Sequence, residues 1–203
     1  MRYKVRMSDA LNEIISAEPL DLDAIAAALD SASPNDRLET VRGLNKPTQR
    51  RLFEAAEGRG GLTIDDIVPS SKAPRTEVIH EGKNSLPVFK CFQKRFCRIA
   101  HNDERLAGYN EQSMRWATGP GYFLVRAADD VEGEVDIDYT LIPDDSDRVE
   151  SWPEILPQKA RLGRFVYAGM VDRLRRVSTH VTIGRAIIKG KATHNYFLLC
   201  RQD

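Results

Sequence analysis

The sequence predicts an α+β protein with an antiparallel sheet of about four strands, helices on one face of the sheet, and a small N-terminal helical domain. Three observations support this fold class. Segments with helical periodicity fill the first part of the chain, a segment rich in proline and serine follows, and apolar alternation typical of strands comes after it. The chain therefore divides into a helical domain (1–68), a linker (69–84) and an α+β domain (85–203).

Capping residues and apolar spacing predict several short helices within residues 1–68. Asp21 precedes one apolar helical face and is a suitable N-cap. Ser33 is a second N-cap, and Pro34 follows it in the first helical turn, where the missing N–H costs nothing. Helices this short are marginal alone, so we expect them to depend on the rest of the chain.

Residues 84–100 are expected to form a helix, because their large apolar side chains recur at intervals of three and four. A buried helix with a solvated polar side explains the pattern best. A helix that lies on an anionic membrane or on nucleic acid is the alternative. The apolar residues are Phe89, Phe92, Phe96 and Ile99.

Two strands joined by a turn are predicted for residues 119–143. The stretch YFLV is apolar on both faces, as in an interior strand. Strict alternation follows in EVDIDYTL, which places apolar side chains on one face and carboxylates on the other. The apolar face holds Val135, Ile137, Tyr139 and Leu141, and the carboxylates belong to Glu134, Asp136 and Asp138.

The C-terminal part is predicted to be a helix followed by a hairpin. Helical spacing favours a helix over 165–178, although FVYAGMV is also compatible with a strand. Residues 179–188 alternate, with His180, Thr182 and Gly184 on one face. A turn and the two-faced apolar strand NYFLLCR complete the hairpin.

Charge is unevenly distributed along a chain whose formal net charge is zero. Residues 101–150 hold 13 acidic and 4 basic side chains, whereas residues 151–203 hold 3 acidic and 10 basic ones. These segments could neutralise each other, or the basic one could face an external anion. Since neutral proteins usually match their own charges, we favour mutual neutralisation, including cross-strand pairs between the carboxylates and the basic residues of 173–185.

The sequence favours a cytoplasmic location with no membrane span. The N-terminus lacks the apolar run of a signal peptide, and no stretch has the length of a transmembrane helix. Three cysteines without CxxC spacing are typical of reduced thiols. The four histidines are scattered, so we expect neither a metal nor a cofactor.

The favoured function is a non-catalytic cytoplasmic binding module for a small anionic ligand or a protein partner. Thr182 and the small Gly184 beside His180 would leave room for a ligand. Arg176 and Arg185 could bind its charged group, and Lys83 precedes the predicted helix start, where backbone N–H groups favour anions. The predicted ligand-binding residues are His180, Thr182, Arg185, Arg176 and Lys83.

Two other functions are compatible with the sequence. One is an acid/base enzyme in which a carboxylate orients His180, with Asp172, Asp138 or Asp136 as the source. The other is nucleic-acid binding through the basic residues of 173–191 together with the predicted 90–98 helix, which we consider unfavoured because the net charge is zero.

Overall fold

The computed structural model describes residues 7–86, 90–112, 119–155 and 169–202. Its five helices all precede the first strand, and a single 3₁₀ turn, Asp145–Asp147, lies further on. The helices are α1 (Met7–Ser16), α2 (Leu22–Ser31), α3 (Pro34–Gly43), α4 (Lys46–Ala55) and α5 (Ile64–Ile67).

Two predicted caps begin the second and third helices. The carboxylate of Asp21 accepts hydrogen bonds from the backbone N–H groups of Asp23 and Ala24, both at 3.0 Å. Ser33 Oγ accepts from Asp36 N at 3.2 Å, and Pro34 lies in the first turn of α3. Both interactions satisfy N–H groups that the helix itself leaves unpaired.

Eight antiparallel strands follow one another around a closed barrel. Each strand pairs with its neighbours in sequence, and β1 pairs with β8 to close the barrel, with Gly82 opposite Leu199. The α+β fold with a four-stranded sheet is therefore wrong. The strands are β1 (Val78–Asn84), β2 (Cys91–Ile99), β3 (Asn102–Glu111), β4 (Tyr122–Ala127), β5 (Val135–Asp138), β6 (Met170–Arg176), β7 (Val181–Ile188) and β8 (Lys191–Arg201).

Two segments predicted as helices are strands. Residues 91–99 of the predicted 84–100 helix form β2, and residues 170–176 of the predicted 165–178 helix form β6. The β2 side chains that point into the barrel are alternately aromatic and basic, as Phe92, Lys94 and Phe96 show. Because this inward face is not uniformly apolar, the sequence lacks the apolar–polar alternation that normally identifies a strand. The predicted hairpins are confirmed, because β4 pairs with β5 and β7 pairs with β8.

One end of the barrel is covered by α5 and its flanking residues. His80 Nε2 donates to the carbonyl of Ile67 at 2.9 Å, and Arg98 Nε donates to the carbonyl of Pro69 at 3.1 Å. Arg201 adds a bond from its guanidinium to the carbonyl of Asp66 at 2.6 Å. Three strands thus bind the same segment, which fixes the covering peptide across the barrel end. We call this the covered end, and the end where β2 and β6 begin the opposite end.

The N-terminal helices pack on the outside of the barrel and do not form a separate domain with its own core. Outward-facing apolar side chains of β7 and β8 share one hydrophobic cluster with helical residues such as Ile25, Leu29 and Leu52. A second outer cluster packs Trp152 against β2, β3 and β4. The barrel residues beneath the helices are Val181, Ile183, Tyr196, Leu198 and Cys200.

Within the described residues, no helix has the length and apolar character needed to cross a membrane.

Candidate functional site

A cluster of four buried polar side chains lies inside the barrel, nearer to the opposite end than to the covered end. Three of them point into the barrel from strands: Lys94 from β2, Asn110 from β3 and Asp172 from β6. The fourth, Tyr139, directly follows β5 and lies on the same side as the inward residues Val135 and Ile137. Each residue is at least nine-tenths buried, with exposures of 2% for Lys94, 5% for Asn110, 3% for Tyr139 and 3% for Asp172. Polar groups buried this completely must be hydrogen-bonded to avoid a large desolvation cost.

Lys94 is the centre of the hydrogen-bond network. Its Nζ donates to Asn110 Oδ1 at 2.9 Å, to Asp172 Oδ2 at 3.1 Å and to the hydroxyl of Tyr139. An ammonium group has three N–H donors, so these three acceptors satisfy it. The Tyr139 hydroxyl also donates to Asp172 Oδ2 at 3.1 Å, so Lys94 and Asp172 are joined both directly and through Tyr139.

Four aromatic rings surround the Lys94 ammonium. Nζ lies 5.6 Å from the ring centroid of Phe92, 5.1 Å from that of Phe123, 4.9 Å from that of Tyr139 and 5.2 Å from that of Phe197. These are distances at which a cation is attracted to a ring. The barrel interior therefore combines a charged polar group with an apolar, aromatic wall.

Glycines on the adjacent strands make room for three of these rings. A Cβ added at Gly82 would lie 2.5 Å from Phe92 Cζ, closer than real side chains approach. Gly108 stands in the same relation to Phe123, and Gly184 to Phe197. Because each ring lies over a neighbouring glycine, the three phenylalanines fit inside the barrel beside Lys94.

Burial lowers the pKa of Lys94 below its usual value, and the attraction of Asp172 only partly offsets this effect. The low-dielectric interior disfavours the charged amine, whereas the carboxylate at 3.1 Å favours it. Lysines whose pKa is lowered in this way are suited to act as bases or nucleophiles. The cluster can therefore anchor a hydrogen-bond acceptor, or it can react through the neutral amine.

The predicted ligand-binding residues occupy different parts of the barrel. Thr182 is buried and faces the interior, whereas Arg176 bonds Asp66 and the carbonyl of Gly61 at the covered end. On the outer surface, Arg185 lies 6.0 Å from the ring centroid of Phe53 in α4. Lys83 is half-buried and lies on the outer face of β1, and His180 is half-buried in the turn before β7.

Of the carboxylates proposed to orient His180, Asp172 belongs to the Lys94 cluster. Asp136 binds Arg173 Nε at 2.6 Å, and Asp138 accepts from Thr140 Oγ1 at 2.6 Å. These contacts do not test a catalytic pairing of His180 with a carboxylate, and that pairing stays a prediction. Lys83, which was expected to precede a helix, lies on β1 instead.

The acidic and basic segments neutralise each other, as the sequence favoured. Arg173 lies opposite Asp136 across β5 and β6, and its guanidinium also binds Asp130 at 2.7 Å. Arg175 Nε bonds Glu134 at 2.7 Å. Lys94 of the predicted 90–98 helix points into the barrel, so it cannot join the paired arginines in one basic surface for nucleic acid.

Sequence reasoning missed Lys94 and Asn110 and placed Tyr139 only on an apolar strand face. The available signal was the alternation of Phe92, Lys94 and Phe96, which puts a lysine between two aromatic residues on one face of a strand. Among the described residues, no group of three or more histidine, cysteine or carboxylate side chains is placed to hold a metal ion.

Comparison of the chain with family models, curated proteins and solved structures found no match.

Proposed function

We propose that this protein is a non-catalytic binding module whose barrel holds a small ligand with an apolar body and a hydrogen-bond-accepting head. The observation that carries the proposal is the buried Lys94 cluster inside a closed, aromatic-walled barrel. Eight-stranded barrels have interiors of about the size that side chains fill or that one small ligand occupies. A few convergent polar groups on an apolar wall are typical of ligand sites.

The charges of the cluster favour an uncharged head over the small anionic ligand that was expected from the sequence. Lys94 supplies one positive charge and Asp172 supplies one negative charge 3.1 Å away. An anionic head would bind Lys94 but would be repelled by Asp172, and a cationic head would meet the reverse. An uncharged acceptor, such as a carbonyl oxygen, meets neither penalty. It can bond the ammonium in place of Asn110 Oδ1, which the Tyr139 hydroxyl lies 3.4 Å from and can bond instead.

The surface favours a small ligand over a protein partner. Among the described residues, Ile188 is the only exposed large hydrophobic side chain, at 39% exposure. Stable protein interfaces usually have a larger apolar centre. The three cysteines lack CxxC spacing, which is typical of reduced thiols, so we keep a cytoplasmic location as part of this proposal.

The test compares three ligands that share a hexyl-sized body and differ in the head. We expect hexanamide to raise the melting temperature of the protein more than hexanoate or hexylammonium does. At a concentration ten times Kd, the added free energy of unfolding is about 1.4 kcal/mol. Tyr139→Phe, which removes one donor of the cluster, should weaken hexanamide binding measured by calorimetry.

Lys90→Met is the matched control, because Lys90 is exposed and lies just before β2. This variant should bind hexanamide as the wild-type protein does. If hexanamide produces no shift, or if hexanoate is the strongest ligand, the proposal of an uncharged head is wrong. An unchanged affinity in Tyr139→Phe would place the ligand away from the cluster.

A further inference from the structure

Lys94 differs chemically from the other lysines that the structure describes. It is 2% exposed, whereas Lys46, Lys90, Lys189 and Lys191 are all exposed to solvent. Burial lowers its pKa, so a larger fraction of its amine is neutral at a given pH than in a surface lysine. Neutral amines attack carbonyl carbons, and buried lysines are the usual residues for this chemistry.

We propose that Lys94 captures the carbonyl group of a small apolar aldehyde or ketone as a covalent imine, an inference that rests on the proposed binding function. The neutral Nζ attacks the carbonyl carbon and a C–N bond forms. The carbonyl C–O bond then breaks, and the oxygen leaves as water with the two protons that Nζ loses. The imine nitrogen takes up one further proton and becomes a cation. No oxidant or reductant is consumed.

Asp172 is placed to stabilise the protonated imine. Its Oδ2 lies 3.1 Å from Nζ, and the imine nitrogen keeps one N–H that can still bond this carboxylate. The net charge of the site is the same before and after capture, because an ammonium is replaced by an iminium. The capture therefore leaves no unpaired charge in the interior, which would be costly.

The other two acceptors of Lys94 also have alternative partners. Imine formation removes the N–H groups that bond Asn110 and Tyr139, and this would normally leave buried oxygens unsatisfied. The Tyr139 hydroxyl lies 3.4 Å from Asn110 Oδ1 and can donate to it. Asn110 Nδ2 already donates to the Tyr139 oxygen at 3.1 Å. The network can thus close on itself once Lys94 has reacted.

The aromatic wall favours an apolar carbonyl compound over a hydrophilic one. The rings of Phe92, Phe123 and Phe197 lie within 5.6 Å of Nζ, so the substituent on the captured carbon would contact them. The same rings attract the iminium as they attract the ammonium. Short alkyl aldehydes fit this description, whereas aldehyde sugars do not.

The experiment traps the imine with cyanoborohydride. The folded protein is incubated with hexanal and the reductant near neutral pH, and modified lysines are located by peptide mass mapping. We expect Lys94 to be alkylated to a greater extent than each exposed lysine, because burial lowers its pKa and leaves more of its amine neutral. Lys94→Arg keeps the positive charge but cannot condense, so it should lose this modification. The exposed control Lys90→Arg should keep it.

The wild-type mapping alone decides the proposal even if Lys94→Arg does not fold. Modification of exposed Lys46, Lys189 and Lys191 with none at Lys94 would overturn carbonyl capture. If hexanamide still raises the melting temperature in that case, the binding function stands and only the covalent step is wrong. If hexanamide has no effect and Lys94 is unmodified, both proposals fail.

Discussion

At the scale of single residues, the buried Lys94–Asp172 pair is stable only while both charges are present. The side chains of Lys94 and Asp172 are 3% and 5% exposed, so either charge would be isolated in a low-dielectric interior without the other. Removing one partner of a buried pair typically costs about 3–5 kcal/mol, whereas replacing both costs much less. The contribution of Lys94 to the free energy of unfolding therefore depends on whether Asp172 is present, and the reverse is also true.

A double-mutant cycle should show this coupling. We expect Lys94→Met and Asp172→Asn each to lower the free energy of unfolding by about 3 kcal/mol, because each leaves an uncompensated charge. The double variant removes both charges, so its loss should be at least about 1 kcal/mol smaller than the sum of the single losses. Urea denaturation at neutral pH measures all four proteins.

The exposed pair Arg50–Glu54 provides the matched cycle, because its side chains are 59% and 56% exposed at a separation of 3.2 Å. Its coupling should not exceed about 0.5 kcal/mol. Additive losses at Lys94 and Asp172 would contradict the buried pairing.

At the scale of strands, phenylalanine rings of one strand pack against glycines of the next strand, where no other side chain would fit. Gly82 in β1 lies opposite Phe92 in β2, and the ring occupies the space that a Cβ would need. We expect Gly82→Ala to lower the free energy of unfolding by about 1–3 kcal/mol, the usual cost of overpacking. Thermal or urea denaturation measures this loss.

Gly43→Ala is the control, since a Cβ at this helical position would meet no atom within 4 Å apart from its chain neighbours and the backbone of its own helix. Alanine has the higher helix propensity, so this variant should be neutral or slightly stabilised. Adding Phe92→Leu to Gly82→Ala should recover part of the loss. Equal stability of Gly82→Ala and the wild-type protein would mean that the ring is not held over the glycine.

Strands whose two faces differ in polarity or size were predictable, and strands with mixed inward faces were not. β5 alternates between apolar residues and carboxylates, and β7 places Thr182 and Gly184 opposite larger apolar residues, so both gave a clear period of two. In β2, inward Lys94 and Arg98 alternate with phenylalanines, and the spacing of those phenylalanines also fits a helix. A buried lysine is rare enough that polarity alone assigns it to the surface.

Barrel closure could not be read from local patterns. The pairing of β1 with β8 joins residues more than a hundred positions apart, as Gly82 opposite Leu199 shows. Periodicity describes which face of a strand is buried but not which strand lies beside it. The Lys94 cluster depends on the same long-range arrangement, because β2, β3, β5 and β6 each contribute to it or border it.

At the scale of the whole molecule, the outer helices and the barrel share one core and should unfold together. Ile25 of α2 is 0% exposed and belongs to the same cluster as Val181 and Leu198 of the barrel. We expect Ile25→Ala to lower the free energy of unfolding by about 2–5 kcal/mol. Far-UV circular dichroism, which follows the helices, and tryptophan fluorescence, which includes buried Trp152, should give the same shifted midpoint.

The barrel variant Leu174→Ala is the matched comparison, because Leu174 is 0% exposed and belongs to the interior cluster with α5, not to the outer cluster with α1–α4. Its two probes should also coincide, since loss of the barrel removes the surface on which the helices pack. Helices this short have little stability without tertiary contacts. An Ile25→Ala protein that loses its helical signal at a lower urea concentration than its fluorescence signal would show that the helices are an independently unfolding layer, and the shared-core description would then be wrong.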